Sequence, residues 1–224
     1  MNYLKHHISA LVFVLFELFI CIKVIQWSVK NGWGTYYHMA IMLMICSSIS
    51  ISSVISKAIL NTSPDQLILY ILYYLTFGVY FIYYYYKSGV VRSETALILF
   101  VLYSGVVITA PVFRKDIYFQ FTSMSLLLLF YFLSVKGFLY LINRESTTHT
   151  ITENPLLWIS CGLLIYGLIY AIREFPRFYF NSLDLDYIEG ALQKFLRNME
   201  FTVSLLVWFL FFIGIRKHSP ANQR

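Results

Sequence analysis

E-N-P-L-L-W-I-S-C-G-L-L-I-Y-G-L-I-Y-A, residues 153–171, carries a helix start, a packing face and an apolar run of membrane length in one stretch. Asn154 can accept from the orphan amides of a new helix, Pro155 gives up no hydrogen bond at the first helical position, and Trp158 suits a membrane interface. The apolar run ends at Arg173, and Pro176 reads as a stop signal. Ser160, Gly167 and Ala171 fall along one face, the last two at a small-residue spacing that lets helices approach closely. Gly162, Tyr166, Tyr170 and Arg173 lie on a different face, leading toward the end of the helix.

The rest of the chain has the same character. Hydrophobic residues make up 59% and charged residues 12%, with a mean hydropathy of +0.68, whereas a soluble domain carries about a quarter charged residues. Stretches such as Leu126 to Leu133 offer almost no polar group to cover a soluble surface, so lipid is the expected solvent. The net charge of +6 comes from bases in short runs between apolar segments, which points to interfacial and topological charges rather than to nucleic acid. Cys21, Cys46 and Cys161 each fall inside an apolar run and read as buried free thiols, not as a disulfide framework or a metal site. No small-x-small cleavage site follows Trp27, so the first apolar segment is expected to be retained.

Crossing the hydrocarbon takes about 20 mostly apolar residues as helix. Seven segments qualify, and the predicted fold is an all-α membrane protein with seven transmembrane helices forming a single domain over residues 1–224. They run from about Ile8 to Trp27, Tyr36 to Ile55, Gln66 to Tyr86, Ala96 to Phe113, Ile117 to Ile142, through the quoted stretch, and from Asn198 to Ile215. Ser63-Pro64-Asp65 opens the third and Lys87-Ser88-Gly89 closes it, while Ser93 or Glu94 starts the fourth. Arg114-Lys115-Asp116 tightly connects the fourth and fifth. Residues 173–197 read as an amphipathic connection, since Tyr187, Ile188, Ala191, Leu192, Phe195 and Leu196 recur at helical spacing between charges. Residues 216–224 form a polar C-terminal tail.

Seven spans put the termini on opposite faces. The short acid-free tail and the clustered bases beside it, including Lys87, Arg92, Lys136, Arg144, Arg216 and Lys217, place the C-terminus inside and the N-terminus outside.

Few residues offer chemistry. Glu17 lies near the middle of the first segment, where a carboxylate costs roughly 2.5 to 3.5 kcal/mol on insertion scales, so it needs a partner, a proton or a water-filled cavity. It reads either as a proton, cation or ligand site or as a protonated acid bonded to a neighbouring helix. Ser48, Ser52 and Ser56 line up on the second segment as a packing face or, together with Glu17, as the polar lining of an intramembrane site. In the third segment Tyr70, Tyr73, Tyr74, Phe77, Tyr80 and Phe81 recur at helical spacing, as helix packing or as an aromatic pocket, and Tyr83 to Tyr86 read as interfacial anchors. Tyr166, Tyr170, Arg173 and Arg177 form a candidate outer pocket or cap, with a membrane-hugging connection as the alternative.

The five histidines lack metal-ligand spacing, and no catalytic signature is present, so no metal, cofactor or catalytic residue is expected. The last segment contains no Lys for a retinal Schiff base. The prolines sit at or beyond segment ends, without the paired interruptions that many secondary transporters use at a midplane site.

With N-P-L-L-W-I-S-C-G-L-L-I-Y opening the sixth segment and a short basic tail closing the seventh, the chain resembles small bacterial seven-helix membrane proteins. Asn154, Pro155, Trp158, Gly162 and Tyr166 carry that resemblance, and its outline is similar to the seven-helix input modules of sensor histidine kinases. The resemblance implies a signal-input or accessory role in a bacterial inner membrane. A sensor's output domain is not found before Arg224, so output is expected through a separate membrane or cytoplasmic partner. The alternative is a small transporter or channel subunit using Glu17 and the serine face. Neither reading involves nucleic acid.

Overall fold

The computed structural model describes residues 66–113, 118–144 and 151–181 continuously, and parts of 12–30, 41–52 and 199–216. All regular structure among them is helical. Four helices are complete: α1 (Gln66–Lys87), α2 (Ser93–Phe113), α3 (Tyr118–Arg144) and α4 (Pro155–Asn181). A 3₁₀ turn, Ile151–Glu153, leads into α4. The described residues within 12–30, 41–52 and 199–216 are helical as well.

The starts and stops follow local chemistry. Asn154 Oδ1 accepts from the Leu156 amide at 3.0 Å, which satisfies one orphan donor of α4, and Pro155 is its first residue. The Trp158 indole donates to the Thr152 carbonyl at 2.8 Å, tying the 3₁₀ turn to the helix. At the end of α1, Val90 N reaches back to Tyr85 O at 3.0 Å and Gly89 N to Tyr86 O at 3.0 Å, with Gly89 at φ 72°. That pair of bonds is the Schellman arrangement, and its left-handed residue is one glycine adopts without a Cβ clash. Glu94 stands in the first turn of α2, where a negative charge meets the positive end of the helix dipole.

Two expected starts and connections, Ser63-Pro64-Asp65 and Arg114-Lys115-Asp116, lie outside the described residues. The stop at Pro176 differs from expectation, because α4 continues through it to Asn181. A proline removes one i to i−4 bond but leaves the turns on either side intact, so the helix resumes beyond it. Residues 173–181 therefore belong to α4, while 182–197 and 217–224 lie outside the described residues.

Successive helices alternate in direction. A tight turn joins α1 to α2, whose Tyr103 meets Gly78; Gly137 and Leu127 of α3 meet Ser160 and Gly167 of α4 in reversed order, as Gly162 and Pro155 of α4 meet Phe211 and Gly214. One end of the bundle thus gathers the α1–α2 turn, the end of α3, the start of α4 and the segment around Gly214, whose Cβ position lies 3.1 Å from Pro155 O.

The core is built from Tyr74, Phe77, Phe81 and Tyr85 on α1, Leu126, Phe130 and Leu133 on α3, Ile159 and Leu163 on α4, and Val207, Trp208 and Phe211. Among the described side chains of α2, a narrow stripe, Ala96, Tyr103 and Val107, is buried, while Leu97, Ile98, Val101, Leu102 and Ile108 are exposed. Two helices, over Ser93–Ala110 and Phe121–Asn143, are long and apolar enough to cross a membrane, and just 17% of the first is buried in the bundle.

Candidate functional site

The interior that these helices enclose is aromatic. Phe77 lies at its centre, with ring centroids 5.7 Å from Tyr73, 5.2 Å from Phe81, 5.5 Å from Phe130, 5.6 Å from Tyr166 and 6.2 Å from Trp208. Phe81 in turn meets Phe130 at 5.5 Å and Phe211 at 5.3 Å, and Trp208 meets Phe211 edge to face at 5.8 Å. Edge-to-face and tilted pairs at these separations suit the ring quadrupoles and add about 0.5 to 1.5 kcal/mol each beyond area burial. Among the described residues these rings pack against one another across the helices.

Hydroxyls punctuate the cluster in pairs. Tyr85 Oη and Ser160 Oγ are 2.6 Å apart, joining α1 to α4, and Tyr74 Oη and Ser123 Oγ are 3.2 Å apart, joining α1 to α3. Tyr103 donates to the Tyr74 carbonyl at 2.7 Å and so joins α2 to α1. Ser134 donates to the Phe130 carbonyl of its own helix at 2.7 Å. Ser104 Oγ on α2 is buried with no hydrogen-bond partner among the described residues. Glycines let the backbones approach these contacts: a Cβ on Gly137 would overlap Ser160 Oγ, and one on Gly78 would overlap the Tyr103 ring. The arrangement locks helices together through short bonds between neutral groups.

The sequence-derived candidates fall in several places. Glu17 and Ser56 lie outside the described residues. Ser48 and Ser52 are helical and exposed, on the outside of the described bundle. Tyr166 is buried with its ring 5.6 Å from Phe77 and 5.7 Å from Phe130, so it stands in the aromatic cluster. Tyr170, Arg173 and Arg177 are in α4, and their side chains lie outside the description.

Ser160 is fully buried, as its packing face requires, whereas Gly167 sits in ordinary contact with Leu127 O at 3.8 Å. Gly162 is the tighter approach, because its Cβ position lies 2.6 Å from the Phe211 ring. Of the four consecutive tyrosines read as anchors, Tyr84 and Tyr85 turn inward and Tyr86 faces out. Four residues in sequence sweep most of a helical circumference and cannot share one face. Cys21 and Cys46 are buried and Cys161 is partly exposed.

Sequence reasoning did not pick out the Tyr85–Ser160 pair, nor Phe130, Trp208 and Phe211 as partners of Phe77. The signal present was the aromatic periodicity of α1 alone. Compared with family models, with curated proteins and with solved structures, the chain matches none.

Proposed function

We propose that the chain is a seven-helix integral membrane protein of a bacterial inner membrane, receptor-like or accessory, that acts without catalysis through a separate signalling partner. The outward surface of α2 carries the membrane part of this reading. Leu97, Ile98, Val101, Leu102 and Ile108 are exposed there, and the nearby Thr109 hydroxyl is turned onto the Gly105 carbonyl of its own helix at 2.6 Å. An outward apolar surface on which Thr109 bonds to its own helix suits hydrocarbon.

The signalling part is supported by the interior and by the resemblance to sensor input modules. A core of interlocked rings, with the Tyr74, Tyr85 and Tyr103 hydroxyls bonded across to other helices, holds helices in register, and a change in that register is a message a partner can read.

Retention of the protein in the membrane pellet after alkaline carbonate extraction tests the first part, and release into the supernatant defeats it. Reporter tags at the two termini test the span count and the orientation, with the N-terminus outside and the C-terminus inside expected. A C-terminus found outside reverses the orientation, and termini on one side defeat the odd number of spans. Purification in mild detergent is expected to bring down a kinase or another membrane partner, and a protein that purifies alone from its native membrane counts against the signalling role.

A further inference from the structure

We infer that Lys136 and the basic end of the bundle around it hold the phosphate of an anionic phospholipid, a reading that rests on the membrane placement proposed above. Lys136 is the one charged residue in the span Phe121–Asn143. It is exposed, and it lies within an outward stripe of exposed apolar side chains, Leu128, Tyr131, Val135, Leu139 and Ile142. Eight residues separate it from Arg144 at the end of α3, which at the rise of a helix is about 12 Å.

Its ammonium does not extend toward that end. It lies over the Phe132 ring, 5.7 Å from the centroid and one turn closer to the middle of the span. A ring face attracts a cation but supplies no net negative charge, so an anion arriving from the lipid side gains the whole charge interaction.

The neighbourhood at that end has the same sign. Tyr140, one turn beyond Lys136, places its hydroxyl 3.8 Å from the Cβ position of Gly89, which brings the α1–α2 turn alongside α3. That turn carries Lys87 and Arg92, both exposed, and Lys87 lies over the Tyr83 and Tyr86 rings at 5.8 and 5.9 Å. Arg216 is exposed at the same end, and Glu94 is the acid whose side chain is described there.

A phospholipid fits this setting better than a free anion. Its phosphate would meet Lys136 once the flexible side chain turns from the Phe132 ring toward the turn bases, while its acyl chains would lie along the apolar stripe that continues below the lysine. The end in question is the one read as cytoplasmic, where anionic lipids attract basic residues.

The test uses the full-length protein in neutral detergent, titrated with phosphatidylglycerol or phosphatidylcholine, with bound lipid counted by native mass spectrometry. The wild type is expected to retain phosphatidylglycerol in preference, Lys136→Gln to lose about fivefold of that preference, and Lys136→Arg to keep it. Inorganic phosphate at equal concentration is expected to leave the lipid bound. Equal retention of the two lipids, an unchanged preference in Lys136→Gln, or displacement by inorganic phosphate would each overturn the inference. Should Lys136→Gln fail to fold, Lys136→Met serves the same comparison, since its side chain suits the apolar stripe. Carbonate release of the wild type would defeat the membrane reading, whereas carbonate retention without a lipid preference would defeat only the lipid site.

Discussion

Gly78 and Gly105 look alike in the sequence, each isolated inside an apolar run, yet the structure gives them opposite roles. A Cβ on Gly78 would overlap the Tyr103 ring, which cannot swing away without breaking its bond to the Tyr74 carbonyl. Nothing lies within 4 Å of a Cβ on Gly105. Gly78→Ala is therefore expected to destabilise by about 1 to 3 kcal/mol, and Gly105→Ala to be neutral or stabilising by up to about 1 kcal/mol. Thermal unfolding of the two variants in one detergent checks the contrast, and equal midpoints would refute it.

The Tyr85–Ser160 pair makes a second prediction at this scale. A double-mutant cycle with Tyr85→Phe and Ser160→Ala is expected to show a coupling of about 0.6 kcal/mol and at most about 1.7, the range for hydroxyl pairs between membrane helices. A coupling indistinguishable from zero would mean that the short contact contributes nothing beyond packing. No feature of the sequence announces this pair, because 75 positions separate its members and serine in an apolar run reads equally as a packing residue.

Helix ends were legible where the chemistry is local. Asn154-Pro155 and Lys87-Ser88-Gly89 mark their ends because capping needs particular side chains within a few residues of the break. Gly89→Ala forces a Cβ into the left-handed region, and a loss of about 1 kcal/mol is expected by the same unfolding measurement. Pro176 misled because its local rule was outweighed by the continuity of the turns around it. The aromatic periodicity of α1 announced a face, but whether that face lines a pocket or a packed core depends on Phe130, Tyr166 and Trp208, which come from elsewhere in the chain. The four tyrosines before Lys87 carry a further lesson, since interfacial composition cannot say which of them point outward.

Among the described residues, the core is apolar and aromatic with a few paired hydroxyls, and the outward surface of α2 is apolar as well, with leucine, isoleucine and valine exposed. Single cysteines or spin labels at Ile98 and Leu102 are expected to be reached by an oxygen-type quencher dissolved in lipid and shielded from a water-soluble one. The reverse accessibility would place α2 in water and remove the membrane assignment. Composition over the full chain leads to an expectation of seven spans, of which the described residues show two helices long and apolar enough to cross a membrane, while the directions of the helices come from cross-contacts that composition does not contain.

The crowding of rings around Phe77 also has a mechanical consequence. Densely packed interiors have low compressibility and pass strain along rather than absorb it. With Tyr73, Phe81, Phe130, Tyr166 and Trp208 all against one ring, a sideways push on the helix bearing Trp208 cannot be taken up by a local rotamer change. On the function proposed above, it would be handed on to α1, α3 and α4 together, with the bundle as a stiff coupling between its two ends.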